Sequence, residues 1–163
     1  MENEHTKKLR TSPKDFFLHL LSIVTLYVSA VALGTVLFQI INLYIPDPVK
    51  EMYGNYSNFK DTLRNGLSLV IIFFPVYLGT VMYLAKMYSA DPAKRDLRVR
   101  RWLVYFTLFV AIIVILASLA TLVHSLLSGE FAVRFLLKVT SVVAIAVGVL
   151  GFYGWDIKKH KTE

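Results

Sequence analysis

Apolar residues in this chain are gathered into four long runs separated by short polar stretches. The runs cover residues 16–45, 63–85, 102–127 and 131–155. Each contains the roughly 20 residues that a helix needs to cross the hydrocarbon core of a bilayer. The sequence therefore predicts an all-α fold, a four-helix transmembrane bundle that forms a single membrane domain over residues 1–163.

Cap and turn residues indicate where these helices begin and end. Ser12-Pro13-Lys14-Asp15 is typical of a helix start, with Ser12 as the expected cap and Pro13 in the first turn. Pro46-Asp47-Pro48 ends the first run. Only Ser128-Gly129-Glu130 separates the last two runs, so these two helices are predicted to be antiparallel neighbours.

Pro75 lies inside the second run. A proline in a helix interior removes one backbone donor and bends the helix. The bend can be static or can serve as a hinge, so Pro75 is a candidate hinge residue.

The formal net charge of +7 is unevenly distributed along the chain. Of the 18 Lys and Arg residues, 13 lie in the N-terminal arm, between the second and third runs, or in the C-terminal tail, and five lie on the other side. The positive-inside rule then places both termini of this multi-pass membrane protein in the cytoplasm. Topology explains the positive charge, so no nucleic-acid partner is predicted.

Three of these basic residues, Lys94, Arg98 and Arg101, share one face of a predicted helix. They are either solvated determinants of topology or contacts for anionic lipid headgroups, which attract a nearby Lys or Arg by about 1 kcal/mol.

Polar residues within the runs or directly beside them gather mainly in the half of the predicted bundle opposite the termini. Such residues are costly in a bilayer and are candidates for function. The set comprises Gln39, Asn42, Arg64, Asn65, His124, Glu130, Arg134 and Lys138. The half nearer the termini is poorer, and its main ionisable residues are His19, Lys86 and Asp156.

Lys138 lies deepest in the predicted outer half, on the same helix face as Glu130 and Arg134. In one interpretation Lys138 extends toward the interface, and the amides only hold helices together. In the other, Arg134 and Lys138, assisted by Arg64, bind an anion, a lipid headgroup or another small ligand in a polar pocket.

Other chemistry has little support in the sequence. There are no cysteines, and the four histidines are scattered without metal-ligand spacing. No metal site, cofactor or catalytic dyad is predicted, so we expect a protein that is not an enzyme. A ligand-binding protein, such as a small transporter or channel, is the leading hypothesis. A quinone-using redox component is the least favoured.

An alternative is an accessory or structural subunit of a membrane complex, or a homo-oligomer. Ala144, Gly148 and Gly151 form a ridge of small residues in the fourth run, where another helix can approach closely. That helix could belong to the same chain or to another subunit.

Several motifs resemble a family of small four-span bacterial membrane proteins that is catalogued as a domain of unknown function. They are the start at Ser12–Leu18, Pro46–Pro48, Arg101–Leu103, Gly129-Glu130 with Arg134–Lys138, and Gly151–Asp156. The resemblance covers almost the whole chain. It implies a four-helix membrane bundle of prokaryotic origin, which we expect in the bacterial cytoplasmic membrane, and it implies no activity.

Overall fold

The computed structural model describes residues 12–45, 56–90, 98–127 and 133–158. These residues form four helices, with no strand among them: α1 (Pro13–Tyr44), α2 (Tyr56–Ala90), α3 (Arg98–Leu127) and α4 (Val133–Lys158). Each helix is long and apolar enough to cross a membrane. The predicted four-helix transmembrane bundle is therefore confirmed, and the chain is a multi-pass integral membrane protein.

The helices extend beyond the apolar runs that predicted them. α2 has 35 residues, which corresponds to about 52 Å at a rise of 1.5 Å per residue. Because the hydrocarbon core is only about 30 Å thick, the ends of α2 must reach the headgroup layers or water. α1 begins at Pro13 with Ser12 as its N-cap residue, as expected. The Ser12 carbonyl accepts the Phe16 N–H at 3.1 Å, but the Ser12 side chain makes no capping bond.

α1 is the central helix of the bundle and packs against α2, α3 and α4, while α3 also packs against α4. This confirms that the last two helices are neighbours. Within the described ranges, no close backbone contact links α2 to α3 or α4. The position of α2 therefore depends mainly on α1.

Glycines allow α1 to approach its neighbours closely. A Cβ atom added at Gly66 would lie 3.0 Å from the Val36 side chain and 3.5 Å from that of Thr35. A Cβ added at Gly34 would lie 3.8 Å from Ile145 on α4. The absence of a side chain at Gly66 thus sets the spacing of α1 and α2.

The termini side of the bundle is the one where α1 begins and α4 ends, and the far side is the opposite one. One buried residue from each helix forms a small core: Leu26, Tyr77, Val104 and Tyr153. A hydrogen bond between the Tyr77 and Tyr153 side chains connects α2 to α4, so long side chains bridge the two helices where their backbones do not meet.

Much of the remaining apolar surface faces outward. Phe109 and Leu116 on α3 are each 60% exposed. Lipid tails cover such side chains in a bilayer. Pro75 is also exposed, and α2 continues through it without interruption. Its role as a hinge stays a prediction.

Candidate functional site

The buried polar side chains lie near the termini side and the middle of the bundle. They are Asp15, His19, Ser22, Thr25, Ser29, Thr80 and Thr107. This distribution differs from the expectation that the far half is the richer one in polar groups. The buried polar side chains thus indicate a candidate site at the first half of α1, which the charged residues of the sequence did not indicate.

The buried threonines satisfy their hydroxyl groups within their own helices. Thr25 donates to the Leu21 carbonyl at 2.8 Å, and Thr80 and Thr107 donate in the same way to carbonyls four residues earlier. These bonds need neither a ligand nor a neighbouring helix. The threonines are therefore packing residues.

His19 differs because its ring makes hydrogen bonds in two directions. Its Nδ1 atom lies 2.6 Å from the backbone oxygen of Asp15. Since a carbonyl oxygen only accepts hydrogen bonds, Nδ1 carries a proton. The other nitrogen, Nε2, contacts the hydroxyl of Tyr88 on α2, and a neutral imidazole accepts that bond.

Arg100 joins this pair from α3. The guanidinium carbon lies 4.8 Å from the centre of the Tyr88 ring, within the range of a cation–π interaction. The His19 and Tyr88 rings have centroids 6.0 Å apart. We name His19, Tyr88 and Arg100 the His–Tyr–Arg cluster. It connects three helices at one level of the bundle.

These residues line a cavity of about 130 Å³, which we name the termini-side pocket. All four helices contribute to it. Its polar lining also includes Ser22 and Tyr153, and apolar side chains such as Leu84 and Leu103 complete the wall. The pocket therefore combines one permanent positive charge with several hydroxyl groups.

The depth of the termini-side pocket follows from the neighbouring tryptophans. Trp102 on α3 is 65% exposed and Trp155 on α4 is 68% exposed, and tryptophan is enriched at the membrane–water interface. Arg100 precedes Trp102 by only two residues and is partly exposed. The pocket thus lies within reach of the headgroup layer.

The polar residues predicted on the far side occupy different surfaces. Arg64 lies 3.9 Å from Asp61, and both side chains are well exposed. Gln39 and Asn42 are hydrogen-bonded to each other at 3.4 Å. Asn65 lines a groove between α1 and α2. This arrangement does not bring the α2 residues to α4, because the two helices make no close backbone contact in the described ranges.

On α4, the Lys138 ammonium lies 5.6 Å from the centre of the Phe38 ring, and Arg134 is partly exposed. His124 on α3 is exposed, and Glu130 lies outside the described residues. Ligand binding by any of these residues stays a prediction.

The groove between α1 and α2 is the larger cavity, at about 410 Å³, but its surface is mostly apolar. Tyr27, Val31, Gly66 and Leu69 are among its lining residues. It suits an apolar chain rather than a charged ligand. Size alone therefore does not identify the polar site.

The remaining candidates add little to this site. Arg101 is exposed, whereas Lys94 and the Arg98 side chain lie outside the described part of the structure. Among the described residues, no group of three or more His, Asp or Glu could hold a metal ion.

Most of the chain matches one known protein family. Residues 15–153 match the family described as a domain of unknown function (DUF5671). The chain belongs to this family. The match to DUF5671 spans all three members of the His–Tyr–Arg cluster, and it confirms the resemblance to a family of unknown function. Comparisons with curated proteins and with solved structures gave no match.

Sequence reasoning missed the cluster because His19 and Tyr88 are 69 residues apart in the chain. One signal was available. His19 lies near the start of α1, Tyr88 near the end of α2 and Arg100 near the start of α3, so antiparallel helices place all three at the same depth. Comparing polar residues at equal depth on the termini side would have grouped them.

Proposed function

We propose that this protein is a non-enzymatic membrane protein that binds a small anion in the termini-side pocket. The observation that carries the proposal is the Arg100 guanidinium against the Tyr88 ring, beside a buried His19. The positive-inside pattern supports a cytoplasmic position for this side. A transporter or a receptor could use such a site, and binding is the property common to both.

The chemistry of the lining residues favours an anion. Arginine remains protonated in proteins and offers five N–H donors in a fixed plane. The hydroxyls of Ser22 and Tyr88 can add directional hydrogen bonds. Apolar walls lower the local dielectric and strengthen the attraction between Arg100 and a negative group.

The size of the pocket narrows the ligand class. Its volume of about 130 Å³ is below the roughly 300–1,000 Å³ of sites that bind drug-sized molecules. An inorganic oxyanion fits this space, and so does the phosphate of a lipid headgroup whose tails stay in the bilayer. The shared chemistry is a compact oxyanion.

Native mass spectrometry of protein released from mild detergent tests the proposal. Wild type is compared with Arg100→Gln, with Lys138→Met and with the control Arg101→Gln, which alters the adjacent exposed arginine. We expect an anionic adduct on wild type and on Arg101→Gln that is lost from Arg100→Gln. Its mass distinguishes an inorganic anion from a lipid.

Two outcomes would contradict the termini-side site. Loss of the adduct from Lys138→Met alone would move the binding site to the far side, where the sequence first suggested it. Retention of the adduct in all variants would mean that neither basic residue holds it.

A second candidate function is a subunit of a membrane complex, and one observation favours it. Ala144, Gly148 and Gly151 are exposed, and a Cβ added at either glycine would meet no atom within 4 Å. The ridge therefore does not pack within the described bundle and is open to another helix.

We expect Gly148→Leu to reduce the subunit count in native mass spectra, whereas Gly79→Leu, at an open position on α2, should not. An unchanged count would contradict this candidate.

A further inference from the structure

We infer that anion binding in the termini-side pocket is linked to the uptake of one proton by His19, so that the ligand is held as an anion–proton pair. This inference rests on the proposed function and adds a proton as the second ligand. It also assigns distinct roles to the three residues of the His–Tyr–Arg cluster.

The backbone contact of Nδ1 fixes the orientation of the His19 imidazole. Nδ1 donates to the Asp15 backbone oxygen, and that oxygen has no proton to give in return. Nδ1 therefore keeps its hydrogen in both charge states of the ring. Nε2 is the nitrogen that gains or loses a proton, and its neighbour is the Tyr88 hydroxyl.

The hydrogen bond between His19 and Tyr88 reverses its direction when the ring is protonated. While the ring is neutral, Tyr88 donates its hydrogen to Nε2. Once a proton from water binds Nε2, the new N–H donates to the Tyr88 oxygen instead. The hydroxyl hydrogen then turns away from Nε2, and an anion beside Arg100 can accept it. No bond other than N–H is formed, and one proton is taken up.

Burial of His19 is the largest effect that disfavours an imidazolium, and Arg100 on α3 also repels it, whereas Asp15 on α1 favours it. Among the described residues, the titratable groups that α2 and α4 contribute to the pocket are Tyr88 and Tyr153. An anion next to Arg100 offsets the repulsive charge, so protonation of His19 becomes more favourable when the anion is bound.

Because coupling between two ligands is reciprocal, protonation must strengthen anion binding by the same factor. We therefore expect the affinity to rise as the pH falls, by up to about tenfold per pH unit where His19 is neutral before binding and protonated afterwards.

Isothermal titration calorimetry of the detergent-solubilised protein measures this link directly. The probes are sulfate and short-chain phosphatidylglycerol, because neither titrates between about pH 5 and 8, where histidine changes charge. The first represents a free oxyanion and the second a headgroup phosphate. Titrations in buffers of different ionisation enthalpy give the number of protons taken up with each probe.

We expect uptake approaching one proton with at least one probe in wild type. His19→Gln should bind the probe with no proton uptake. Binding by wild type with no uptake at any pH would overturn the inference and leave the proposed function intact. Failure of both probes to bind at every pH would overturn the proposed function as well. The proton count of wild type decides these outcomes even if a variant does not fold.

Discussion

Thr107 shows how a polar residue can be buried without a functional site. It is 1% exposed, and its hydroxyl donates to the Leu103 carbonyl at 3.0 Å. We expect Thr107→Val to change the free energy of unfolding by less than about 1.5 kcal/mol, because it removes one hydrogen bond that the helix does not need. Thr107→Leu should destabilise the bundle by about 1–3 kcal/mol through overpacking. Chemical denaturation in one detergent measures both, and equal losses would contradict a packing role.

Gly66 permits a second residue-level prediction about packing. A side chain at this position would meet Val36 at 3.0 Å, so Gly66→Leu should push α1 and α2 apart and destabilise the protein by about 1–3 kcal/mol. Gly79→Leu on the same helix is the matched control, since nothing lies within 4 Å of its added Cβ atom. Melting temperatures in detergent should fall for Gly66→Leu and stay constant for Gly79→Leu. A similar fall in both would point to an effect of the added apolar side chain on solubility in detergent, since leucine favours a helix more than glycine does.

The contrast between Lys138 and His19 shows what the sequence could reveal about individual residues. A charge inside an apolar run can be recognised from the sequence alone, and for this reason Lys138 was a predicted site residue. The contacts of His19 depend on which face of α1 is turned toward α2 and α3, and the low amphipathicity of a membrane helix does not specify that face. Local chemistry was therefore predictable, and residue partners were not.

At the scale of the helices, α2 is connected to the α3–α4 pair through side chains rather than backbone packing. Tyr77 and Tyr153 supply one such connection by a hydrogen bond between buried side chains. We expect Tyr77→Phe and Tyr153→Phe each to destabilise the bundle by about 0.6 kcal/mol, the average for interhelical hydrogen bonds in membranes, and by no more than about 1.7 kcal/mol. The double variant should lose less than the sum of the two, and a double-mutant cycle of unfolding free energies measures the difference. Strict additivity would mean that the two hydroxyls do not interact.

Helix number and approximate position were predictable for a physical reason. A bilayer requires every backbone N–H and C=O group to bond internally, so each apolar run of sufficient length must be helical. In the bilayer, however, lipid tails and helix faces are equally apolar. The pattern of apolar residues therefore does not indicate which helices lie beside one another. The central position of α1 and the separation of α2 from α4 therefore required the structure, and with them the location of the pocket.

At the scale of the whole molecule, charge asymmetry and the candidate site coincide. The sequence predicts 13 of the 18 Lys and Arg residues on one side of the bundle, and Arg100 and the termini-side pocket belong to that side. Positive charge there would raise the local concentration of anions near the pocket. The topology then determines which compartment supplies those anions.

Cysteine labelling provides a direct test of that topology, because the chain has no cysteine of its own. Tyr44 on the far side and Arg101 on the termini side are both exposed, so each can be replaced by cysteine with little effect on packing. If the positive-inside rule governs insertion, a membrane-impermeant maleimide added to intact bacterial cells should label Tyr44→Cys. Arg101→Cys should react only after the membrane is permeabilised. The reverse pattern would place the termini-side pocket on the outer face, where it would receive anions from outside the cell, and labelling of both variants in intact cells would indicate a mixed orientation.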